Sequence, residues 1–377
     1  MIYLQGQSTD MLTKQKYAAM DFLRILAFFF IILYHFMFEL EQKGIFNFKK
    51  YAGGYIYYEN SNFNIAMIGV SLFFMLSGAG LMHSSERKWN IKEFYVRRFS
   101  RLLIPFYIAE VFVLIASFAI KPEWVIYFPQ VPKYRAVFNL FAMDGYFERY
   151  FQTFCLHVGE WFLGALIMLY VIFPLLRFFM KKNRYVTIGV ATVYYLCMVF
   201  TDVIHVTPWN NVFLKVYDFV LGMFLITEIP GLMEKKVVRR VLRYTTLALI
   251  IFGVFFKPAL PTPVTFNNLL YAIILFIHFF TYEKLGDGEK EIGAKAKGYK
   301  IVESICRISY EIFLVHHVII YYVGDNLAGA PIGGYQVVAL FITEIIVMVG
   351  MALFVRLLEK PIYKIPFLNE NNICKRK

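Results

Sequence analysis

Cysteine is scarce, with four in 377 residues: Cys155, Cys197, Cys306 and Cys374. They share no metal-ligand spacing, and the topology derived below puts only Cys155 on the outer side. Neither a thiolate metal site nor a disulfide framework is expected. Charge is thin as well. Only 17% of residues are Asp, Glu, Lys or Arg, while 59% are hydrophobic and 19% aromatic, with mean hydropathy +0.56. A soluble domain is about 45–50% apolar, so these values point to a polytopic membrane protein. The chain opens without a short apolar core followed by a small-residue cleavage site, so its first hydrophobic run reads as a retained topogenic helix. No inverted repeat of the transporter kind is visible, and no stretch reads as a second soluble domain.

Acid is outnumbered by base, and the net charge is +13. Such a surplus raises nucleic acid as a partner, but its distribution argues otherwise. Apolar runs broken by charge or proline predict ten helices, near 18–38, 64–83, 102–120, 160–180, 186–202, 211–228, 241–257, 266–283, 305–323 and 335–357. With a cytoplasmic N-terminus, 29 of the 39 Lys and Arg residues fall in inner segments and 8 in outer ones. That is the positive-inside pattern, and one false helix would scramble it. The basic residues therefore orient the chain against membrane lipid, and no nucleic-acid partner is expected. The fold expected is an all-α polytopic membrane protein of about ten transmembrane helices with both termini cytoplasmic. A tail at 1–17 and another at 358–377 flank a membrane domain at 18–357.

Trp124, Trp161 and Trp209 fall at predicted outer boundaries, where an aromatic belt would lie. The outer segments 39–64 and 121–158 are rich in Tyr, Phe and Asn, which suits sugar rings and equally suits an interfacial loop. Residues 284–300 read as a flexible inner linker.

The first run, MDFLRILAFFFIILYHFMFE at 20–39, holds Asp21, Arg24, His35 and Glu39. At ~100° per residue, eleven steps bring Arg24 and His35 to nearly one face, with Asp21 and Glu39 within roughly 40° of His35. Ionisable groups at membrane depth are kept mainly where they face the protein interior or a wet cavity. One alternative is an interior Asp21–Arg24 salt bridge plus a histidine bonded to a neighbouring helix.

Arg97, Arg98 and Arg101 cluster where the third run enters the membrane. Arginine forks match phosphate oxygens, so a polyphosphate ligand and a simple stop-transfer cluster are both open. Gly69, Ser71, Ser77, Gly78 and Gly80 thin the second run, either for close helix contact or as the wall of a ligand channel. In RISYEIFLVHHVI, Ser309 and His316 are seven apart and share a face. His316 sits about as deep as His35, as a partner in one site or as a bonded core residue. His83 and His278 read as structural. Glu160, which opens the fourth run, reads as solvated or catalytic.

The opening Asp21-x-x-Arg24 followed by ten residues and His35 resembles the signature of the type-3 membrane acyltransferase family. Further blocks follow in order: SLFFMLSGAGL, FYVRRFSRLLIPFY, EWFLGALIMLYVIFPLL, ISYEIFLVHH and LEKP at 358–361. Each is similar to a family block, and together they span residues 21 to 361. Phe22, and Phe313 to Val315 before His316, depart from the usual residues. The hydrolase-like extra domain of some members is not present in this sequence.

The resemblance implies transfer of an acyl group, most often acetyl, from cytoplasmic acyl-CoA to a hydroxyl of a glycan or lipid-linked saccharide. It implies a bacterial-type inner (plasma) membrane setting, with acetyl-CoA or another acyl-CoA as donor and no metal. His35 fits a general base, since its pKa lies near neutrality. Arg24 would meet the coenzyme or stabilise charge on the thioester oxygen, with Asp21 holding its neighbours. Glu39, one turn from His35, is spaced to orient the ring, a role the family pattern does not ask for. Arg97, Arg98 and Arg101 would grip the nucleotide phosphates. His316, Ser309, Ser77 and Glu39 form the acceptor-side set. The alternative is a carrier that moves an acyl donor or lipid-linked glycan without chemistry, since a charged stripe also suits a proton-coupled transporter.

Overall fold

The computed structural model describes residues 17–51, 63–86, 89–201, 211–256, 262–283 and 297–364. The predicted tails before residue 17 and after 364, Trp209, Cys374 and the linker at 284–296 lie outside the described residues. Among those described there is no β-strand. The helices are α1 (Ala18–Gln42), α2 (Phe48–Tyr51), α3 (Ile65–Ser85), α4 (Ile91–Ile120), α5 (Ala136–Leu140), α6 (Asp144–Phe147), α7 (Glu160–Phe200), α8 (Val212–Glu234), α9 (Lys236–Phe256), α10 (Val264–Phe280), α11 (Lys297–Leu327) and α12 (Gly334–Ile362). Five of them, α1, α3, α4, α7 and α12, are long and apolar enough to cross a membrane. This is a helical membrane protein.

Each of the ten predicted runs falls on a helix, with three differences of extent. The third helix starts at Ile91 rather than residue 102, because Asn90 accepts a hydrogen bond from the backbone N–H of Glu93 and caps it. The basic cluster thus lies on the first turns of α4. The fourth and fifth runs join in α7, interrupted only at Asn183 (φ −159°, ψ 98°). The linker ends sooner than expected, since α11 begins at Lys297 and carries Tyr299.

The chain divides into two compact units. The first comprises Met1–Tyr34, Ala52–Trp89 and Ile172–Cys306; the second comprises His35–Tyr51, Asn90–Val171 and Arg307–Lys377.

In the first unit α3 and α8 meet backbone to backbone. A Cβ on Gly78 would strike the carbonyl of Phe219, and one on Gly222 would strike the carbonyl of Met75. Gly69 likewise faces the carbonyl of Ala27 on α1. The small residues of the second run thus serve helix contact. Beside them Lys215 Nζ lies 3.2 Å from Asp218 Oδ2 and 3.5 Å from Ser71 Oγ, and all three residues are buried.

In the second unit α4 packs on α12, with Phe112 and Phe354 ring centroids 5.4 Å apart. The loop 121–158 is folded rather than splayed. Tyr127 Oη donates to the carbonyl of Cys155 (3.1 Å), and Trp124 Nε1 donates to Asp325 Oδ2 (3.3 Å), so Trp124 is held in a polar network. Among the described residues Cys155, Cys197 and Cys306 form no disulfide.

Asp144, at the start of α6, is buried with Glu110 beside it; Asn139 Nδ2 donates to both, at 3.4 Å and 2.9 Å. Burial pushes the Asp144 carboxyl up to about 6, and the Asn139 bond offsets this only in part. A carboxyl whose folded pKa is raised stabilises below its unfolded value, and that stability is lost as pH rises through the folded value. Melting temperature in detergent is therefore expected to fall as pH rises from about 4 to about 6.5 and to level off above that. In Asp144→Asn this slope flattens; an equally steep slope would place the titration elsewhere.

Candidate functional site

In the first unit, Asp21 is buried and both of its carboxylate oxygens are engaged. Oδ1 lies 3.1 Å from Arg24 Nη1, and Oδ2 accepts from Tyr299 Oη at 2.5 Å. Spacing explains the first contact, since residues three apart are neighbours on a helix. The Arg24 side chain is one-third exposed. Asp21 thus holds the Arg24 side chain from one side. The salt bridge offered as the plainer reading is present.

In the second unit, His35 on α1 meets a histidine doublet on α11. Its ring centroid lies 5.6 Å from that of His316 and 4.0 Å from that of His317. His316 is fully buried and His317 is 5% exposed, whereas His35 is half-buried. Nδ1 of His316 lies 2.6 Å from the carbonyl of Phe313, and Nδ1 of His317 lies 3.5 Å from Glu160 Oε2. Glu160 Oε1 in turn lies 3.5 Å from Nδ1 of His157. Phe162 and Phe313 pack their rings at 5.0 Å and wall this region with apolar surface.

The turn that delivers Glu160 is strained. His157, Gly159 and Glu160 have φ of 61°, 70° and 40°. The left-handed region costs non-glycine residues on the order of 1–3 kcal/mol and recurs at functional sites. Gly145 permits the arrangement, since a Cβ there would sit 2.6 Å from the Glu160 backbone. Burial lowers the His157 pKa, but the hydrogen bond and charge of Glu160 outweigh it and hold the ring above its ordinary value.

Glu39 does not take the place expected for it as the orienter of His35. Its Oε1 lies 3.8 Å from Lys43 Nζ, in a network where Lys43 meets Asp325 at 2.7 Å and Lys121 meets Asp325 at 3.4 Å. The carboxylate against the histidines is that of Glu160. Ser309 is buried on α11, two turns before His316. Ser77 lies half-buried on α3, in the first unit. Arg97 is pinned to its own helix, 2.8 Å from Glu93 Oε2. Arg98 is half-buried and Arg101 exposed on the same turns.

Residue pattern singled out neither His317 nor His157. Consecutive helical residues diverge by ~100°, so choosing His316 set its neighbour aside. The signals available were the doublet itself and the H-x-x-E spacing of His157 and Glu160.

Residues 17–358 match the family model described as an acyltransferase domain. No curated protein and no solved structure matches the chain.

Proposed function

We propose that this chain, which belongs to the acyltransferase family, transfers an acyl group from acyl-CoA, acetyl-CoA foremost, to a hydroxyl of a glycan or lipid-linked saccharide. The observation that supports this is His35 meeting His316 and His317 at close range, on the helix that opens with the Asp21–Arg24 pair. The hydroxyl oxygen attacks the thioester carbonyl while a ring nitrogen of His35 takes its proton. The C–S bond breaks, and the departing thiolate receives that proton and leaves as free CoA. Half-burial of His35 lets an acceptor reach it.

Arg24 would meet the coenzyme; eleven residues of helix set it roughly 16 Å from His35 along the axis, away from the reacting carbonyl. Arg97, Arg98 and Arg101 would hold nucleotide phosphates. Ser309 and Glu39 would serve the acceptor side. The setting proposed is the inner (plasma) membrane, with ten spans and both termini cytoplasmic. The transfer itself calls for no metal.

The test is acetyl-CoA turnover by purified protein in lipid with glycan extract, reading free thiol and label on the glycan together. Both are expected. Label that crosses into vesicles without thiol release would establish a carrier and overturn transfer.

A further inference from the structure

We infer that His35, His316 and His317 form a binding site for a divalent transition metal, zinc(II) being the best match. Three observations carry this. One ring nitrogen from each histidine lies within 4.8 Å of the other two, the only such group of three among the described residues. Nε2 of His316 and Nε2 of His317 are both buried without a hydrogen-bond partner. Their opposite nitrogens face acceptors: Nδ1 of His316 the carbonyl of Phe313 at 2.6 Å, Nδ1 of His317 the Glu160 carboxylate at 3.5 Å.

A histidine that donates from Nδ1 presents a lone pair at Nε2. That is the tautomer a metal takes, and a backbone carbonyl or carboxylate behind the ring is the usual outer partner of a metal-bound histidine. A buried lone pair left unmatched is otherwise costly. Two such lone pairs beside a third histidine are a ligand set. Zinc bonds histidine at about 2.0–2.1 Å, which sets tetrahedral ligand nitrogens roughly 3.4 Å apart. Closing from the present spacing takes rotation of the rings by about an ångström at the nitrogens. Three protein ligands leave a fourth position for water or a ligand oxygen. The half-buried face of His35 gives the ion its way in, and Glu160 contributes negative charge behind His317.

The inference does not rest on acyl transfer, because the ion is bound whatever the chain catalyses. The two meet at one atom. With zinc seated, the His35 lone pair is a ligand and cannot take a proton, so a bound ion and general-base turnover exclude each other.

The test is equilibrium dialysis of the tag-free full-length protein in detergent against Zn²⁺, with metal content by mass spectrometry and the d–d spectrum of Co²⁺ as geometry readout. Wild type is expected to hold one ion per chain, with a tetrahedral cobalt spectrum. His317→Gln and His316→Gln are each expected to weaken binding at least tenfold while eluting as a single folded species. His278→Gln, whose histidine bonds Thr246 in the first unit, is expected to bind as wild type. No ion retained by wild type overturns the site, as does retention unchanged in both doublet variants. If turnover is observed, added Zn²⁺ is expected to suppress it and chelator to restore it. Unchanged turnover with one ion bound would overturn the exclusion at His35.

Discussion

His35→Ala is expected to lose acetyl-CoA turnover by roughly 10²–10⁴-fold, the range that one positioned general base supplies. The loss falls on kcat, with KM for acetyl-CoA held, because proton transfer stabilises the transition state and not the bound thioester. His35→Gln is expected to fail to the same degree, since an amide keeps the shape but accepts no proton at neutral pH. The assay is run with chelator, so that loss of the base is not confounded with loss of an ion. His278→Gln serves as control, as its ring is bonded to Thr246 at 2.9 Å, in the other unit. The free thiol released per minute is the measurement. Turnover in His35→Ala within threefold of wild type would move the base to another group.

Asp218→Ala is expected to be the most destabilising single change in the first unit. Lys215 and Asp218 sit 3.2 Å apart with side chains 5% and 2% exposed, and Ser71 is the further contact of the ammonium. Removing the carboxylate leaves a buried cation without its counter-charge, a loss of about 3–5 kcal/mol. The pair itself is not worth that much, because desolvation offsets most of its attraction. The double variant Lys215→Met/Asp218→Leu is therefore expected to recover near wild-type stability. Monodispersity and melting temperature in detergent read all three proteins. A double variant no better than Asp218→Ala would show that the pair contributes more than mutual neutralisation.

The alignment of Asp21, Arg24 and His35 was legible because helical period alone puts them on one face. The pairing of Arg97 with Glu93 follows from the same arithmetic at four residues. The glycines of the second run signalled close contact, and Gly78 and Gly222 make it against opposing carbonyls. Tyr299 was hidden because the polar, glycine-containing stretch before it reads as linker, whereas α11 begins at Lys297. The contact of Glu160 with His317 was hidden for another reason. Their meeting depends on α7 approaching α11 across more than 150 residues of chain, which periodicity does not encode. Nor does composition announce left-handed backbone at His157 and Glu160, since neither is glycine. Glu39 illustrates the converse. Proximity in sequence to His35 suggested a role for Glu39, whose carboxylate instead lies against Lys43, one turn further on.

The contact between α3 and α8 has a mechanical consequence. Where glycine faces a carbonyl, no side chain on the glycine separates the helices, and backbone approaches backbone directly. Sliding or rolling one helix on the other would drive backbone into backbone, so the two are locked in register and respond to load as one rod. Slow amide exchange belongs in this pair, and any movement that admits a ligand to the first unit must be taken up by elements whose contacts are made of side chains.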